Sequence, residues 1–223
     1  PSDTSAIDSA IRFLLARGET SLSFSYDTPL SSDELSALTH AFAVGVKRYC
    51  EQMYNQVTVR ADTAGHVSLS ISSTVCTNAQ LALYRERAMA RAIAIHDSLW
   101  ANGYLSKDMS EYEKAQIYFS WLCENCTYDS SAVLSDSSLS HLAYSALCNG
   151  VAVCDGYVGA YNLLLKLEGI ECSTLFNDDH IWTVATLDGK TYHIDPTWGD
   201  SGRVIDWTCF GMTEQQSYQK HPW

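Results

Sequence analysis

Residues 180–195 read HIWTVATLDGKTYHID, and this stretch constrains the fold more tightly than any other. Two alternating runs rich in β-branched and aromatic residues flank Asp188-Gly189. That dipeptide suits a two-residue type I′ hairpin turn, which needs positive φ at both central positions. Leu187 then pairs with Lys190, and the rest of the register follows: His180 faces Thr197 and Trp182 faces Asp195. Side chains alternate with period two, so His180, Trp182, Asp195 and Thr197 share one face. His180 and Asp195 become diagonal neighbours, roughly 7–8 Å apart at the backbone and within side-chain reach. A one-residue bulge would send them to opposite faces. A carboxylate on one imidazole nitrogen fixes the tautomer and stabilises the imidazolium, leaving the other nitrogen to take a proton. Diagonal His–Asp pairs are also common structural features, so a nucleophile is needed to make this one chemical. His193 shares the strand parity of Asp195 and is a rival base.

The nucleophile candidate is Cys154, which follows NGVAV and precedes Asp155-Gly156-Tyr157. A strongly apolar run follows (Tyr157, Val158, Tyr161, Leu164, Leu165, Leu167), with Gly169 as a natural stop, so a helix is expected over 154–168. A thiol at a helix start feels the positive end of the macrodipole and unpaired N–H groups, which favour thiolate and can hold an oxyanion. Gly156 is expected to remove bulk beside the sulfur. The competing reading is a small buried cysteine with no chemistry.

The remaining chain organises around this region. Residues 21–26 alternate as a strand, Ser31 and Glu34 form a capping box ahead of a helix, and 57–59 and 67–71 alternate as strands on either side of a turn at 62–65. A helix is expected over 78–100 and a loop over 101–110. A second capping box, Ser110 with Glu113, opens a further helix. Residues 127–141, rich in Ser and Asp, read as a surface loop. Strand-like runs occupy 172–176, 180–187 and 190–195. The expected division is an α+β region of unassigned role over 1–105 and a catalytic domain over 106–223.

With a formal net charge of −12 and only 14 Lys plus Arg, the chain lacks the clustered cations that displace counterions from phosphates, which sets nucleic acid aside as a partner. No run approaches the length of apolar residues a membrane helix needs. The chain starts at Pro1 rather than Met, which reads as removal of either a tag or an N-terminal leader, with no leader visible in the sequence itself. The low Lys content and the many Ser, Thr and Tyr suggest a bacterial secreted or surface protein. Eight cysteines would pair in that compartment or stay as thiols in the cytosol. Cys123 and Cys126 form a CxxC. A structural zinc site would need a second pair, and the nearest, Cys148 with Cys154, includes the nucleophile candidate. A disulfide and plain helix-face thiols are the other readings. Neither a metal nor a cofactor is expected. The terminal His221 to Trp223 reads as tail packing.

GVAVCDGYVGAYNLLLKLEGI and DHIWTVATLDGKTYHIDPTWGD resemble the core of the transglutaminase-like superfamily, which has a papain-like arrangement. That core has a cysteine-headed helix, a histidine followed two residues later by Trp, and a strand ending in Asp-Pro-Thr-Trp. The resemblance is good over 142–200 and looser over 110–130 and 209–223. It implies an α+β fold with Cys154 as nucleophile, His180 as general base and acid, and Asp195 as orienter. Thr183 stands where the family commonly has Asn, and Asp155 where it often has Glu or Gln; neither removes a catalytic group. The family supplies a second oxyanion donor upstream of the cysteine, for which Tyr144 is the candidate. Trp182 and Trp198 either wall the site or pack the hairpin. The implied chemistry is acyl transfer on peptide or amide through a thioester. Hydrolysis is favoured, with cell-wall peptide among the candidate substrates. The alternatives are protein cross-linking at glutamine, or a binding module that keeps the fold without turnover. No DxDxDG pattern supports a calcium-dependent type.

Overall fold

A computed structural model describes residues 4–222. Helix α1 (Thr4–Arg17) leads into strand β1 (Ser21–Ser25), helix α2 (Ser32–Lys47) and strands β2 (Gln56–Ala61) and β3 (His66–Ser72). The three strands form an antiparallel sheet in the order β1-β3-β2. Val67, Leu69 and Ile71 of β3 alternate inward and are buried. Helices α3 (Asn78–Ala101) and α4 (Glu111–Asn125) follow. Full capping boxes open α2 (Ser31 with Glu34), α3 (Thr77 with Gln80) and α4 (Ser110 with Glu113), each pairing two backbone N–H groups that would otherwise lack partners.

The expected loop over 127–141 is more ordered than its composition implies. Strand β4 (Thr127–Tyr128) pairs in parallel with β5 (Val151–Ala152). Asp129 accepts from the hydroxyls of Ser131 and Ser140, and Ala132 is buried. A π-helical turn over Ser145–Asn149 leads into β5.

Helix α5 (Cys154–Leu167) runs through the centre. Its apolar residues cover the full circumference, from Tyr157 and Val158 to Tyr161, Leu164 and Leu165, all buried. A helix of that kind must be surrounded, and it packs against α3, α4, the 3-10 turn Cys50–Gln52 and the following sheet. Gly169 ends it in the left-handed region, at φ +74°. Strands β6 (Cys172–Phe176), β7 (Ile181–Leu187) and β8 (Lys190–Ile194) form a second antiparallel sheet in sequence order. Helices α6 (Pro196–Gly199) and α7 (Glu214–Lys220) complete the chain.

One hydrophobic core joins both halves, from Ile11 and Leu69 to Leu164 and Ile194. Glu168, just past α5, accepts from Trp100 Nε1, Lys114 Nζ and the Tyr118 hydroxyl, tying α3, α4 and α5 together. The seam expected near residue 105 falls in the connection between α3 and α4. All eight cysteines are free thiols, so the disulfide readings fall. Cys123 and Cys126 are buried, and the Cys123 thiol donates to the Pro196 carbonyl at 3.6 Å. None of the described helices is long and apolar enough to cross a membrane.

Candidate active site

The hairpin register is the expected one, from Leu187 opposite Lys190 to Thr183 opposite Ile194, with no bulge. Asp188 and Gly189 take φ +51° and +77°, the signs a type I′ turn demands. His180 Nε2 accordingly reaches Asp195 Oδ2 at 2.9 Å. Asp195 is fully buried, and its Oδ1 accepts the N–H groups of Thr197 and Trp198 at 3.0 and 3.1 Å. The same carboxylate therefore caps α6, whose first residue is Pro196. Asp-Pro-Thr-Trp is thus a helix start that locks the carboxylate in place. Burial alone would raise the Asp195 carboxyl, but the imidazole of His180, with that of His221 beside it, outweighs burial and holds it below the usual carboxylate range. With Nε2 committed to Asp195, Nδ1 is the nitrogen of His180 that can serve a thiol. The Trp198 ring stacks on His180 at 5.0 Å and 26°.

Cys154 is the first residue of α5, and no side chain caps that helix start. The thiolate expectation is corrected. Burial pushes the Cys154 thiol up to about 12, and the Asp155 and Asp195 carboxylates add to the rise. Backbone N–H groups of Asp155 and Cys154 pull it down and are outweighed. The resting thiol is protonated at neutral pH, so its proton must leave as it attacks. Burial raises the Tyr128 phenol, and the acidic groups near it, Cys154 and Asp155 among them, add to the rise. Tyr128 lines a cleft of about 520 Å³ together with His180, Trp198, Asp200 and Lys220. Cys154, Tyr128, His180 and Asp195 therefore share one neighbourhood.

Gly156 is needed for a different reason from the one expected. A Cβ there would sit 2.4 Å from the Ser140 carbonyl oxygen and 2.9 Å from Ala152 Cβ. Its absence lets the helix start close on the preceding turn, where Val153 N–H donates to the same Ser140 carbonyl. Asp155 is held by His141, whose Nδ1 lies 2.9 Å from both carboxylate oxygens and whose Nε2 lies 3.1 Å from the Ser135 carbonyl. That pairing, opposed by burial, raises the His141 pKa above its ordinary value.

The weaker candidates separate. Trp198 is 45% exposed and faces the cleft, whereas Trp182 is 0% exposed. Trp182 does not wall the opening; its indole N–H donates to His193 Nδ1 at 3.1 Å inside the hairpin. His193 is thereby an acceptor in a buried pair, and burial lowers its pKa. The Tyr144 ring packs against Tyr84 of α3, 4.7 Å between centroids and tilted at 47°. The expectation for the tail changes at His221, which lies against Asp195 rather than merely packing; Trp223 lies outside the described residues. Tyr128, His141 and His221 were not foreseen. Tyr128 follows the CxxC in a segment of looser resemblance and could have been noticed there, but no periodicity marks His221.

Residues 99–196 match the model of the transglutaminase-like superfamily. The superfamily match spans α4, the whole of α5, the hairpin and Asp195. Kyphoscoliosis peptidase of Mus musculus is 24% identical over 125 residues, covering 49% of this chain and 19% of the relative. The Homo sapiens kyphoscoliosis peptidase is 26% identical over 116 residues, covering 45% and 17%. The alignments thus span less than a fifth of either curated relative. A solved structure described as a TGase has a TM-score of 0.42 at 14% identity, covering 90% of this chain and 55% of that one.

Proposed function

We propose that the chain catalyses acyl transfer on peptide or amide substrates through a thioester on Cys154, with hydrolysis as the outcome. His180 Nδ1 takes the Cys154 proton as the sulfur attacks the carbonyl carbon. Backbone N–H groups of the first turn of α5 hold the oxyanion. The imidazolium, stabilised by Asp195, gives its proton to the leaving amine. Water, deprotonated by the same nitrogen, then attacks the thioester and releases the acid. The observation that carries this reading is the 2.9 Å contact between His180 Nε2 and a buried, N-capping Asp195, in a segment of a family of cysteine peptidases and transferases.

Burial pushes the Cys154 thiol up, to about 12. Its reactivity therefore depends on His180 rather than on the helix dipole. The decisive measurement is the rate at which iodoacetamide modifies Cys154 at neutral pH, resolved by peptide mapping. Faster modification than at the exposed Cys148, abolished by His180→Ala, is the expected result. A Cys154 no more reactive than the other cysteines would favour a binding module without turnover. Incubation with a glutamine peptide and a fluorescent amine then separates the two reactions. Cleaved peptide or free acid marks hydrolysis, and incorporated label marks cross-linking.

A further inference from the structure

The acyl-transfer scheme uses one imidazole on Asp195, yet two are present. His221, just past α7, is 2% exposed. Its ring lies 4.7 Å from Trp182, 4.2 Å from Trp198 and 5.0 Å from His180, centroid to centroid. Nε2 of His221 lies 3.1 Å from Asp195 Oδ2, the oxygen that His180 Nε2 already holds at 2.9 Å. Even so, neither ring nitrogen of His221 makes a well-formed hydrogen bond among the described residues, and Asp195 meets it at ion-pair distance only. A buried imidazole left in that state calls for an explanation.

A metal ion supplies one. His180, Asp195 and His221 each offer a ligand atom, all within 4.8 Å of one another. Two imidazoles and one carboxylate suit a borderline divalent ion such as Zn²⁺. They do not suit Ca²⁺ or Mg²⁺, which want more oxygens. Bonds of about 2.0–2.2 Å at tetrahedral angles place ligand atoms roughly 3.3–3.5 Å apart, so the 2.9 and 3.1 Å contacts need to open by only a few tenths of an ångström. The second shell is also built: Thr197 and Trp198 N–H groups fix the carboxylate through Oδ1. His180 borders the open cleft, which gives an entry path.

We propose that His180, Asp195 and His221 form a site for a zinc-like divalent cation that reversibly switches the enzyme off. The metal takes the Nε2 lone pair of His180, and the proton formerly on Nε2 moves to Nδ1. An Nδ1–H cannot accept the Cys154 proton, so the buried thiol stays protonated. No bond to carbon and no electron transfer is involved, and a chelator restores the original tautomer. The binding half of the proposal is independent of the acyl-transfer reading; the switching half rests on it.

The test uses chelator-stripped full chain carrying Cys148→Ser, which removes the exposed thiol. Calorimetric titration with Zn²⁺ is expected to show one bound equivalent. Loss of the His221 ligand (His221→Ala) is expected to weaken binding at least about tenfold. Undiminished binding by a folded His221→Ala variant overturns the site. If that variant fails to fold, anomalous scattering from Zn²⁺-soaked crystals of the unmutated chain decides. A peak among the three residues supports the proposal, and a peak elsewhere, or none, overturns it. Alkylation of Cys154 should slow at least about tenfold under saturating Zn²⁺, recover with chelator, and be insensitive to Zn²⁺ in His221→Ala. Equal protection in that variant means the metal sits on the thiol, which overturns the switch. Zinc bound at the three residues beside a Cys154 that is unreactive even without zinc leaves the site standing and fails the acyl-transfer reading instead.

Discussion

Asp195 does three jobs with two oxygens: Oδ1 caps α6, and Oδ2 meets His180 and His221. Asp195→Asn keeps the cap but presents the wrong hydrogen-bonding group to His180. It should cost on the order of 10³–10⁴ in turnover, with the fold retained; hydrolysis rates and circular dichroism together check this. His141 gives a prediction of the opposite pH sense from a carboxylate. Its pKa is raised by Asp155. Its stabilising effect is therefore complete below the unfolded value of about 6.5 and fades as pH rises through the higher folded value. His141→Gln should destabilise by on the order of 2 kcal/mol at pH 6, and the gap should shrink in alkali; paired thermal melts across pH read it. The His180–Asp195 contact was legible from sequence because a two-residue turn fixes parity over the whole hairpin. The protonated state of Cys154 was not, because burial comes from distant segments and reverses what the local helix start favours.

At the scale of elements, the start of α5 is where the fold meets the chemistry. Three segments converge there: the Ser140 turn, β5 and the helix. Gly156→Ala would push a methyl to 2.4 Å from the Ser140 carbonyl oxygen, and backbone on both sides must yield. The expected cost is about 1–3 kcal/mol, with loss of Cys154 reactivity exceeding the loss of helix content, seen by alkylation rate beside a denaturant melt. The capping boxes at Ser31 and Ser110 and the Asp188-Gly189 turn were readable because each rests on residues a few positions apart. Helix α1 was overlooked, although Ile7, Ile11 and Leu14 recur at helical spacing and are buried. The segment 127–141 looked like free loop because its order comes from side-chain contacts across it, such as Asp129 with Ser140 and His141 with Asp155. Those contacts leave no periodic signal.

For the molecule as a whole, the first hundred residues are packed into the surroundings of the cysteine-headed helix. The Cys50 thiol donates to the Asp155 carbonyl at 3.0 Å, and the Cys50 carbonyl oxygen would lie only 3.2 Å from a Cβ at position 159. Lys166 of α5 pairs with the buried Glu51, Thr174 N–H donates to the Arg48 carbonyl, and Arg91 of α3 reaches the Leu147 carbonyl. A fragment of 106–223 would lose all of these and would bare the face of α5 that packs on α3 and the Cys50–Gln52 turn. Exposing each large core side chain costs about 1.5–3 kcal/mol. A handful therefore exceeds the whole stability of a domain, roughly 5–15 kcal/mol. The fragment is expected to lack a cooperative thermal transition and to show no selective alkylation of Cys154. Adding separately expressed 1–105 should restore both if the two pieces rebuild the shared core. A fragment that melts cooperatively and alone keeps a fast-reacting Cys154 would instead make the N-terminal region a separable appendage.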